Sequence, residues 1–444
     1  MKSSKRKICQ VLALVVSGMG ASVAMAAGPL IQGGGSSLVA PTIGANSPAS
    51  GEIGLFGTSN ATFTYYSVGS GAGQNAFLNN QPTYLGAGVT GTVDFANSDA
   101  ALTTAQVTAY KASTVGANSG PLIQIPYIVT AITIPVVNGP AVTSVKTPQT
   151  TPNQAHSIAL NDDDLCGIFS GKLTNWNQVV NPEGGNYSLN APITVVYRTD
   201  GSGTTELLTR HLAAVCTTAN TASGVKFVDS LTFANTTAFP SGVPSNFVGA
   251  SGSGGVRASL SSLSSATSAP AAVAYLSPDY TNTYIASQST VVTPSGALQL
   301  PLASLYNTTA KAYYAPTYSN ATTAVNTTTA PSTKAAASDP TQWVPVSGTA
   351  YNQLANPASG YPVSGTSQII LSQCYADPTV ASNVQSFLNN HYTSSSNASV
   401  VHGNGFDTVP SGFQTAISAN FLSNSSKNNL DIGDAVACAP INGR

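Results

Sequence analysis

The sequence predicts an α/β fold in which mainly parallel strands are joined by crossover helices. Strand-like runs rich in Val, Ile, Thr and Tyr alternate with runs whose apolar residues recur at helical spacing. Turns rich in glycine and serine stand between the two kinds of run. The length of 444 residues indicates two or three domains at roughly 100 to 200 residues each.

Three strand-to-helix units carry this prediction. Phe63–Val68 is a predicted strand, and a glycine turn after it leads into a helix through Leu78. Thr92–Ala96 is the second strand, and Thr103 with Gln106 has the spacing of a capping box at the start of the next helix. The third strand is Ile193–Tyr197. The helix after it has Glu206 in its first turn and apolar residues at helical spacing: Leu208, Leu212 and Val215.

The remaining segments suggest how the chain moves between domains. Two runs rich in apolar and β-branched residues, Pro126–Val137 and Ala271–Leu276, are predicted to cross from one domain to the other and back. Residues 139–158 and 305–345 are rich in Ser, Thr, Asn and Pro, which favours turns and extended loops, so we interpret both as insertions. A strand over Ser367–Leu371 and a helix over Pro378–His391 follow them.

The surface is expected to be polar but almost uncharged. Only 7% of the residues are Asp, Glu, Lys or Arg, whereas about 25% is typical of soluble domains. The 15 basic and 16 acidic residues give a net charge of −1, so the sequence has neither a basic nucleic-acid-binding face nor a polyacidic segment.

The first 26 residues have the pattern of an export signal. Basic residues precede an apolar run over 11–25, and Ala24-Met25-Ala26 supplies a small-x-small cleavage site. The apolar run is shorter than the roughly 20 residues that a membrane span needs. Cys9 has basic neighbours and lies before the apolar run, unlike the cysteine of a lipoprotein signal. We therefore expect an exported mature protein without a membrane or lipid anchor.

Four cysteines remain after cleavage, an even number that favours two disulfides in an oxidising compartment. Three pairings are possible, and we favour Cys166–Cys216 with Cys374–Cys438. The cysteine spacings do not match zinc or redox motifs. The four histidines are dispersed, so no metal site and no cofactor are predicted; they are His156, His211, His391 and His402.

Four strand-to-helix turns concentrate the chemistry. Glycines allow close backbone approach, and amide and hydroxyl donors at helix starts can hold an oxyanion. Ser37 is expected to cap a helix that has Pro41 near its start, and Ser70 and Ser202 occupy comparable positions. Arg198 adds a charged forked donor, with Asp200 expected to hold its guanidinium in place. Each turn alone is more often an ordinary loop, but four turns of one layout favour anion binding.

Asp99 narrows the choice of anion. A carboxylate facing a dianion is repulsive unless the ligand carries a proton that the carboxylate can accept. Phosphate carries such a proton near neutral pH and sulfate does not. If Asp99 faces the anion, the site should select phosphate or arsenate and reject sulfate. Taken alone, Asp99 is more often a helix cap, and Arg198 more often half of a structural ion pair.

The ordered motifs resemble the periplasmic phosphate-binding proteins of ABC phosphate importers, and the DING branch of that superfamily in particular. The resemblance covers most of the mature chain but not the 305–345 segment, and the start lacks the Asp-Ile-Asn-Gly run of the DING branch. The motifs are Gly33-Gly34-Gly35-Ser36-Ser37-Leu38, Val68-Gly69-Ser70-Gly71, Val93-Asp94-Phe95-Ala96-Asn97-Ser98-Asp99-Ala100 and Arg198-Thr199-Asp200-Gly201-Ser202-Gly203-Thr204-Thr205. Residues 164–172, Trp176 and the run from Val195 to Cys216 also resemble the DING branch.

The resemblance implies a hinged, two-lobed type II binding-protein fold that closes on dehydrated phosphate, and it implies an ABC permease as partner. It implies residues 27–125 as the first part of lobe 1, 126–280 as lobe 2, and 281–444 as the return to lobe 1. A monomer in the periplasm or outside the cell is expected. The implied phosphate contacts are Ser37, the Leu38 amide, Ser70, Asp99, Arg198, Ser202, Gly203 and Thr204.

Two other functions remain as alternatives. Some secreted relatives in the DING branch are described as low-molecular-weight alkaline phosphatases. The dispersed histidines give no recognisable metal set, Ser202 is not in a GxSxG elbow, and no catalytic residue is assigned. The run Gly167-Ile168-Phe169-Ser170-Gly171-Lys172 is one residue shorter than a P-loop, and Leu173 follows it. An adhesive role would rest on the Ser/Thr-rich segments alone.

Overall fold

The computed structural model describes residues 28–45, 48–265 and 270–444. Two β-sheets with helices around them form two lobes, called here lobe 1 and lobe 2. The predicted export signal lies outside the described residues. Within the described ranges, no helix is both long and apolar enough to cross a membrane.

Thirteen strands, β1–β13, occur in the described part of the chain. In order they are Leu30–Gly35, Thr62–Ser67, Phe95–Ser98, Leu122–Ala131, Ile134–Val137, Ala159–Leu160, Ile193–Arg198, Phe247–Ala250, Ala271–Ala274, Leu302–Asn307, Ala312–Tyr314, Ser364–Ser372 and Asp407–Thr408.

Fifteen α-helices, α1–α15, accompany them in those residues. They are Ala40–Ile43, Glu52–Phe56, Ser70–Leu78, Thr104–Ala112, Thr114–Ser119, Asp162–Ser170, Gly203–Val215, Gly252–Ser265, Tyr318–Val325, Lys334–Ala337, Pro340–Trp343, Gly348–Ala355, Pro378–Thr393, Ser395–Gly403 and Ser411–Ile417.

The sheet of lobe 1 has the strand order β13-β4-β12-β3-β1-β2, and that of lobe 2 has β11-β10-β5-β9-β7-β8, with β6 beside β10. Each sheet is mixed, which corrects the prediction of mainly parallel sheets. The parallel pairs are β3-β1, β1-β2, β9-β7, β7-β8 and β6-β10. Parallel neighbours need a crossover, whereas a hairpin and strands that enter from the other lobe can pair antiparallel. The hairpin β10-β11 and the pair β4-β12 are examples of antiparallel pairing.

The chain passes between the lobes at three neighbouring segments. Thr133 and Leu276 exchange backbone hydrogen bonds of 2.9 and 3.0 Å, and Ile132 N–H donates to Val363 O at 2.8 Å. The first crossing therefore lies between β4 and β5, after Ala131. All ten residues of β4 are buried, as the continuous apolar run requires of a central strand.

The segment 305–345 is folded, contrary to the expectation of turns and extended loops. Its first part completes β10 and forms β11 in the sheet of lobe 2, and α9 and α11 pack on β4 of lobe 1. All of 281–444 is expected in lobe 1, but β10 and β11 lie in the sheet of lobe 2, and β12 is the first strand after residue 281 that lies in the sheet of lobe 1. Buried Trp343 anchors α11 and donates its indole N–H to Ala337 O at 2.9 Å.

Local signals explain several element boundaries. Thr103 and Gln106 form the predicted capping box at α4, and Ser202 accepts the Thr205 N–H at the start of α7. Of the apolar positions predicted for α7, Leu208 and Leu212 are buried and Val215 is half-buried, and polar residues of the same helix are buried too, among them Thr209 and His211. Both favoured disulfides, Cys166–Cys216 and Cys374–Cys438, are present. The first joins α6 to the end of α7, and the second joins the segment after β12 to the C-terminal segment.

Candidate anion site between the lobes

The predicted contacts meet where strands of both sheets end and the lobes face each other. From lobe 1 come the turns after β1, β2 and β3, and from lobe 2 the turn after β7. All eight predicted contacts are buried, and the side chain of Arg198 is only 1% exposed. The turns therefore bring the eight predicted contacts into the buried region where the lobes meet, and their role as anion ligands remains a prediction.

Asp99 lies at the centre of the contacts between the lobes. Its carboxylate accepts hydrogen bonds from Ser36 Oγ at 2.6 Å and, across the cleft, from Thr204 Oγ1 at 3.4 Å. Its backbone N–H donates to Ser70 Oγ at 3.2 Å. Burial raises the pKa of Asp99, although nearby hydroxyl donors and the charge of Arg198 oppose the rise.

Arg198 supplies the positive charge of the site. Its Nε donates to Asp200 Oδ1 at 2.6 Å, and its Nη2 donates to Asp200 Oδ2. Burial alone would raise the pKa of Asp200, but the hydrogen bonds and charge of Arg198 lower it overall. The carboxylate of Asp200 thus orients the guanidinium, the geometry that the sequence analysis expected. The Arg198 N–H also donates to the Tyr275 hydroxyl at 2.9 Å.

Glycines let the two lobes approach closely at this site. Gly71 N–H donates to Gly201 O across the cleft at 2.9 Å. A Cβ atom on Gly203 would lie 2.6 Å from each of three atoms, namely Ala100 N, Asp99 Cβ and Ser70 Oγ. Gly69 has a φ of +90°, and a Cβ there would lie 2.6 Å from Asp200 Oδ2. Side chains at these positions would hold the lobes apart.

Ser37 does not cap a helix, which corrects the prediction for the first turn. α1 has only four residues, its N-cap is Val39, and no side chain caps it. The hydroxyl of Ser37 instead lies 2.9 Å from Ser253 Oγ in lobe 2 and accepts the Ser253 N–H at 3.2 Å. The Leu38 N–H donates to Ser36 Oγ at 3.1 Å, so Ser36 organises the turn.

Sequence reasoning missed Ser36 and Ser253. Ser253 belongs to a fifth turn, Ser251-Gly252-Ser253-Gly254-Gly255, which directly follows β8 and opens α8. This turn has the same composition as the four recognised ones, and that signal could have identified it. Gly252 N–H also donates to Asp200 Oδ1 at 2.9 Å, which ties the fifth turn to the fourth.

The other sequence candidates lie outside this site. The P-loop-like run lies at the C-terminal end of α6, not at a helix N-terminus. His391 contacts Glu52, His211 contacts Asp162, His402 contacts Asp407, and His156 contacts Thr147 O. Over residues 28–45, 48–265 and 270–444, no three His, Cys, Asp or Glu side chains are grouped so that they could hold a metal ion.

Comparison with known proteins places the chain in a class. A family model described as a PBP superfamily domain matches residues 23–389. A high-affinity periplasmic phosphate-binding protein, PfluDING, solved with phosphate bound, aligns with a TM-score of 0.72 and 32% identity over 93% of this chain and 99% of its own. The chain therefore belongs to the PBP superfamily, in the family that contains the DING-type phosphate-binding proteins.

Two curated relatives have different names. "Alkaline phosphatase L" of Pseudomonas aeruginosa strain PAO1 is 33% identical over 380 residues, which cover 85% of this chain and 86% of the relative. "Phosphate-binding protein" of an unknown prokaryotic organism is 34% identical over 379 residues, covering 84% and 91%. The names correspond to the two leading functions that the sequence analysis considered.

Proposed function

We propose that the mature protein binds inorganic phosphate with high affinity in the closed cleft between its lobes and serves phosphate acquisition. The observation that carries this proposal is that buried Asp99 lies within the electrostatic influence of buried Arg198, and that a serine hydroxyl is hydrogen-bonded to each of them. Arg198 favours an oxyanion, whereas Asp99 favours one that still carries a proton. Phosphate meets both conditions, and arsenate, which has the same shape and protonation, is expected to bind as well.

The proposed contacts divide between the two lobes. Ser37, the Leu38 amide, Ser70 and Asp99 would come from lobe 1. Lobe 2 would supply Arg198, Ser202, and the start of α7 at Gly203 and Thr204. The N–H groups of Gly203 and Thr204 have no carbonyl partner within α7, so they are available to an anion, whereas the Thr205 N–H donates to Ser202 Oγ.

Calorimetry with phosphate and sulfate tests this proposal. Wild-type protein should bind phosphate and reject sulfate, because sulfate leaves the buried carboxylate facing an anion without a shared proton. Arg198→Ala should abolish phosphate binding. Asp99→Asn should reduce the difference in affinity between phosphate and sulfate, because an amide can donate a hydrogen bond to either anion.

Asp94→Asn is the matched control for Asp99→Asn. Asp94 is also a buried carboxylate of the same segment, but it accepts from Gln32 N–H inside lobe 1 at 2.9 Å and has no contact with the cleft. This variant should retain the preference for phosphate. Equal affinity of the wild-type protein for phosphate and sulfate would contradict the role of Asp99.

A phosphatase is the second candidate, because one relative is named an alkaline phosphatase. Protein purified from a phosphatase-deficient host should be tested for release of p-nitrophenol from its phosphate ester. Activity that is lost in both Asp99→Asn and Arg198→Ala would establish hydrolysis at the cleft. Activity that survives both substitutions would indicate a contaminating enzyme.

The proposed setting is the periplasm or the cell exterior, with the protein as a monomer delivering phosphate to an ABC permease. The predicted signal at 1–26 supports export, and one relative is named "Phosphate-binding protein PstS". Permease genes beside this gene would support import. Secretion genes there would support an extracellular role.

A further inference from the structure

The fifth turn places a serine between the charged residue of one lobe and a predicted ligand contact of the other. Ser253 Oγ lies 3.5 Å from Arg198 Nη1, which donates to it, and 2.9 Å from Ser37 Oγ. Ser253 is fully buried and Ser37 is 5% exposed. The two serines therefore form a direct hydrogen bond between lobe 2 and lobe 1, next to Arg198.

Donor and acceptor rules set the direction of this chain once an oxyanion is bound. An arginine can only donate, so Ser253 Oγ accepts from Arg198. Either hydroxyl could donate in the Ser253–Ser37 pair, but when an oxyanion accepts the proton of Ser37, Ser253 Oγ is the one that donates. The Ser253 N–H, in the first turn of α8 and without a helical partner, also donates to Ser37 Oγ at 3.2 Å. Ser37 Oγ then accepts two hydrogen bonds, which is its full acceptor capacity.

A hydroxyl with both lone pairs occupied can only donate. The remaining proton of Ser37 therefore needs an acceptor, and an oxyanion in the cleft supplies one. The hydrogen bonds run in one direction, from Arg198 through Ser253 to Ser37, and hydrogen bonds in such a chain polarise one another. We propose that Ser253 is a positioning residue that makes Ser37 a hydrogen-bond donor to the bound anion and links the lobes when they close on it.

This inference rests on the proposed function, because it assigns Ser253 a part in phosphate binding. The role differs from helix capping or packing, because the partner of Ser253 lies in the other lobe. Removal of the hydroxyl should leave Ser37 with the Ser253 N–H as its one donor from lobe 2, so that its second lone pair is open and its proton is less firmly directed at the anion. The cost should appear in phosphate affinity and in the dissociation rate, and much less in the stability of the ligand-free protein.

A double-mutant cycle tests the inference. Phosphate affinity is measured by calorimetry, and dissociation by stopped flow, for the wild type, Ser253→Ala, Ser37→Ala and the double variant. Each single substitution should weaken phosphate binding about ten-fold, the effect of one hydrogen bond to a charged group. Ser253→Ala should have almost no further effect in the Ser37→Ala background, because the two side chains act as one unit.

Ser262→Ala is the control, since Ser262 is an exposed serine on the same helix. It should bind phosphate as the wild type does. Thermal unfolding without phosphate shows whether Ser253→Ala is folded. If that variant does not fold, Ser253→Cys, which keeps a weak donor of similar size, takes its place in the cycle.

The outcomes separate the two proposals. Wild-type protein that does not bind phosphate overturns both. If the wild type binds phosphate and Ser253→Ala has the same affinity and dissociation rate, only the positioning role is overturned. A loss of affinity in Ser253→Ala that is fully additive with that of Ser37→Ala also overturns it, because independent effects indicate separate structural roles.

Discussion

Glu52 is a buried carboxylate of lobe 1 that accepts three hydrogen bonds from side chains. Its carboxylate accepts from the Tyr127 hydroxyl, from His391 Nδ1 at 2.7 Å and from Asn397 Nδ2 at 2.9 Å. His391 Nε2 lies 2.7 Å from Tyr127 O. Because the ring faces an acceptor at each nitrogen, it fits the doubly protonated cation, and Glu52 with His391 forms a buried ion pair.

Glu52→Gln should destabilise the protein by about 3–5 kcal/mol at neutral pH, because it leaves His391 without its counter-ion. Burial would raise the pKa of Glu52, but the charge of His391 and three hydrogen bonds lower it overall. A carboxyl group whose pKa is lower in the folded than in the unfolded protein stabilises the fold at pH values above its unfolded pKa, which is about 4.3 for Glu. This stabilisation is lost as the pH falls through the pKa of the folded state. The difference between wild type and variant should therefore shrink below about pH 4.

Urea unfolding from neutral to acidic pH measures this difference. Glu183→Gln is the control, because Glu183 is an exposed carboxylate that pairs with exposed Lys146 at 3.2 Å. Such surface pairs contribute little to stability. A Glu52→Gln variant whose deficit is constant down to strongly acidic pH would contradict the ion pair.

At the scale of elements, the 305–345 segment is where composition was most misleading. Its content of Ser, Thr and Asn predicted loops, yet the segment contains three capped helices, forms β11 and completes β10. Thr317, Thr333 and Asp339 each accept a backbone N–H at the start of α9, α10 and α11. The residue types that favour turns also favour N-caps, so composition alone cannot distinguish them.

Trp343→Ala tests whether this segment is part of the folded core. Trp343 is 2% exposed and packs near Phe413 and Phe421, so its removal should cost about 3–5 kcal/mol of unfolding free energy. Thr329→Ala, an exposed position of the same segment, should have almost no effect. Chemical denaturation measures both. An unchanged unfolding midpoint for Trp343→Ala would show that the segment unfolds separately.

At the scale of the whole molecule, the closed arrangement depends on the absence of side chains where the lobes meet. At Gly203 a Cβ atom would be too close to three atoms of lobe 1. Gly203 is the first residue of α7, and the next residue, Thr204, donates its hydroxyl to Asp99. The fit between lobes is therefore a property of the backbone, while Arg198, Asp99 and Ser253 supply the polar contacts.

Gly203→Ala should keep the lobes apart. Its Cβ would lie 2.6 Å from Ala100 N and Asp99 Cβ, which are main-chain and adjacent atoms that cannot move aside alone. We expect weaker phosphate binding and, with phosphate present, a larger radius of gyration in small-angle X-ray scattering. The unfolding free energy of the ligand-free protein should change by no more than about 1 kcal/mol, since that is the amount by which alanine is favoured over glycine in a helix.

Gly412→Ala is the matched control, since Gly412 also lies in a helix and a Cβ there would meet nothing within 4 Å. It should bind phosphate as the wild type does. A Gly203→Ala variant that closes on phosphate as fully as the wild type would show that the contact can relax.

The sequence by itself determined the local chemistry. Its glycine- and serine-rich turns after strands, the capping box at Thr103 and the start of α7 after Ser202 depend on near neighbours, and the structure has each of them. The sequence motifs also led to the family that the comparisons support. These features are readable because caps and periodicity act over a few residues.

Only the tertiary structure decided which groups meet. The sequence predicts Ser37 as a helix cap, but in the structure its hydroxyl lies beside that of Ser253, 216 positions later in the chain. The mixed sheets and the place of β10 and β11 in lobe 2 likewise depend on strands far apart in the chain. Such pairings follow from how the whole chain buries its strands and crosses between lobes, and no local pattern encodes that choice.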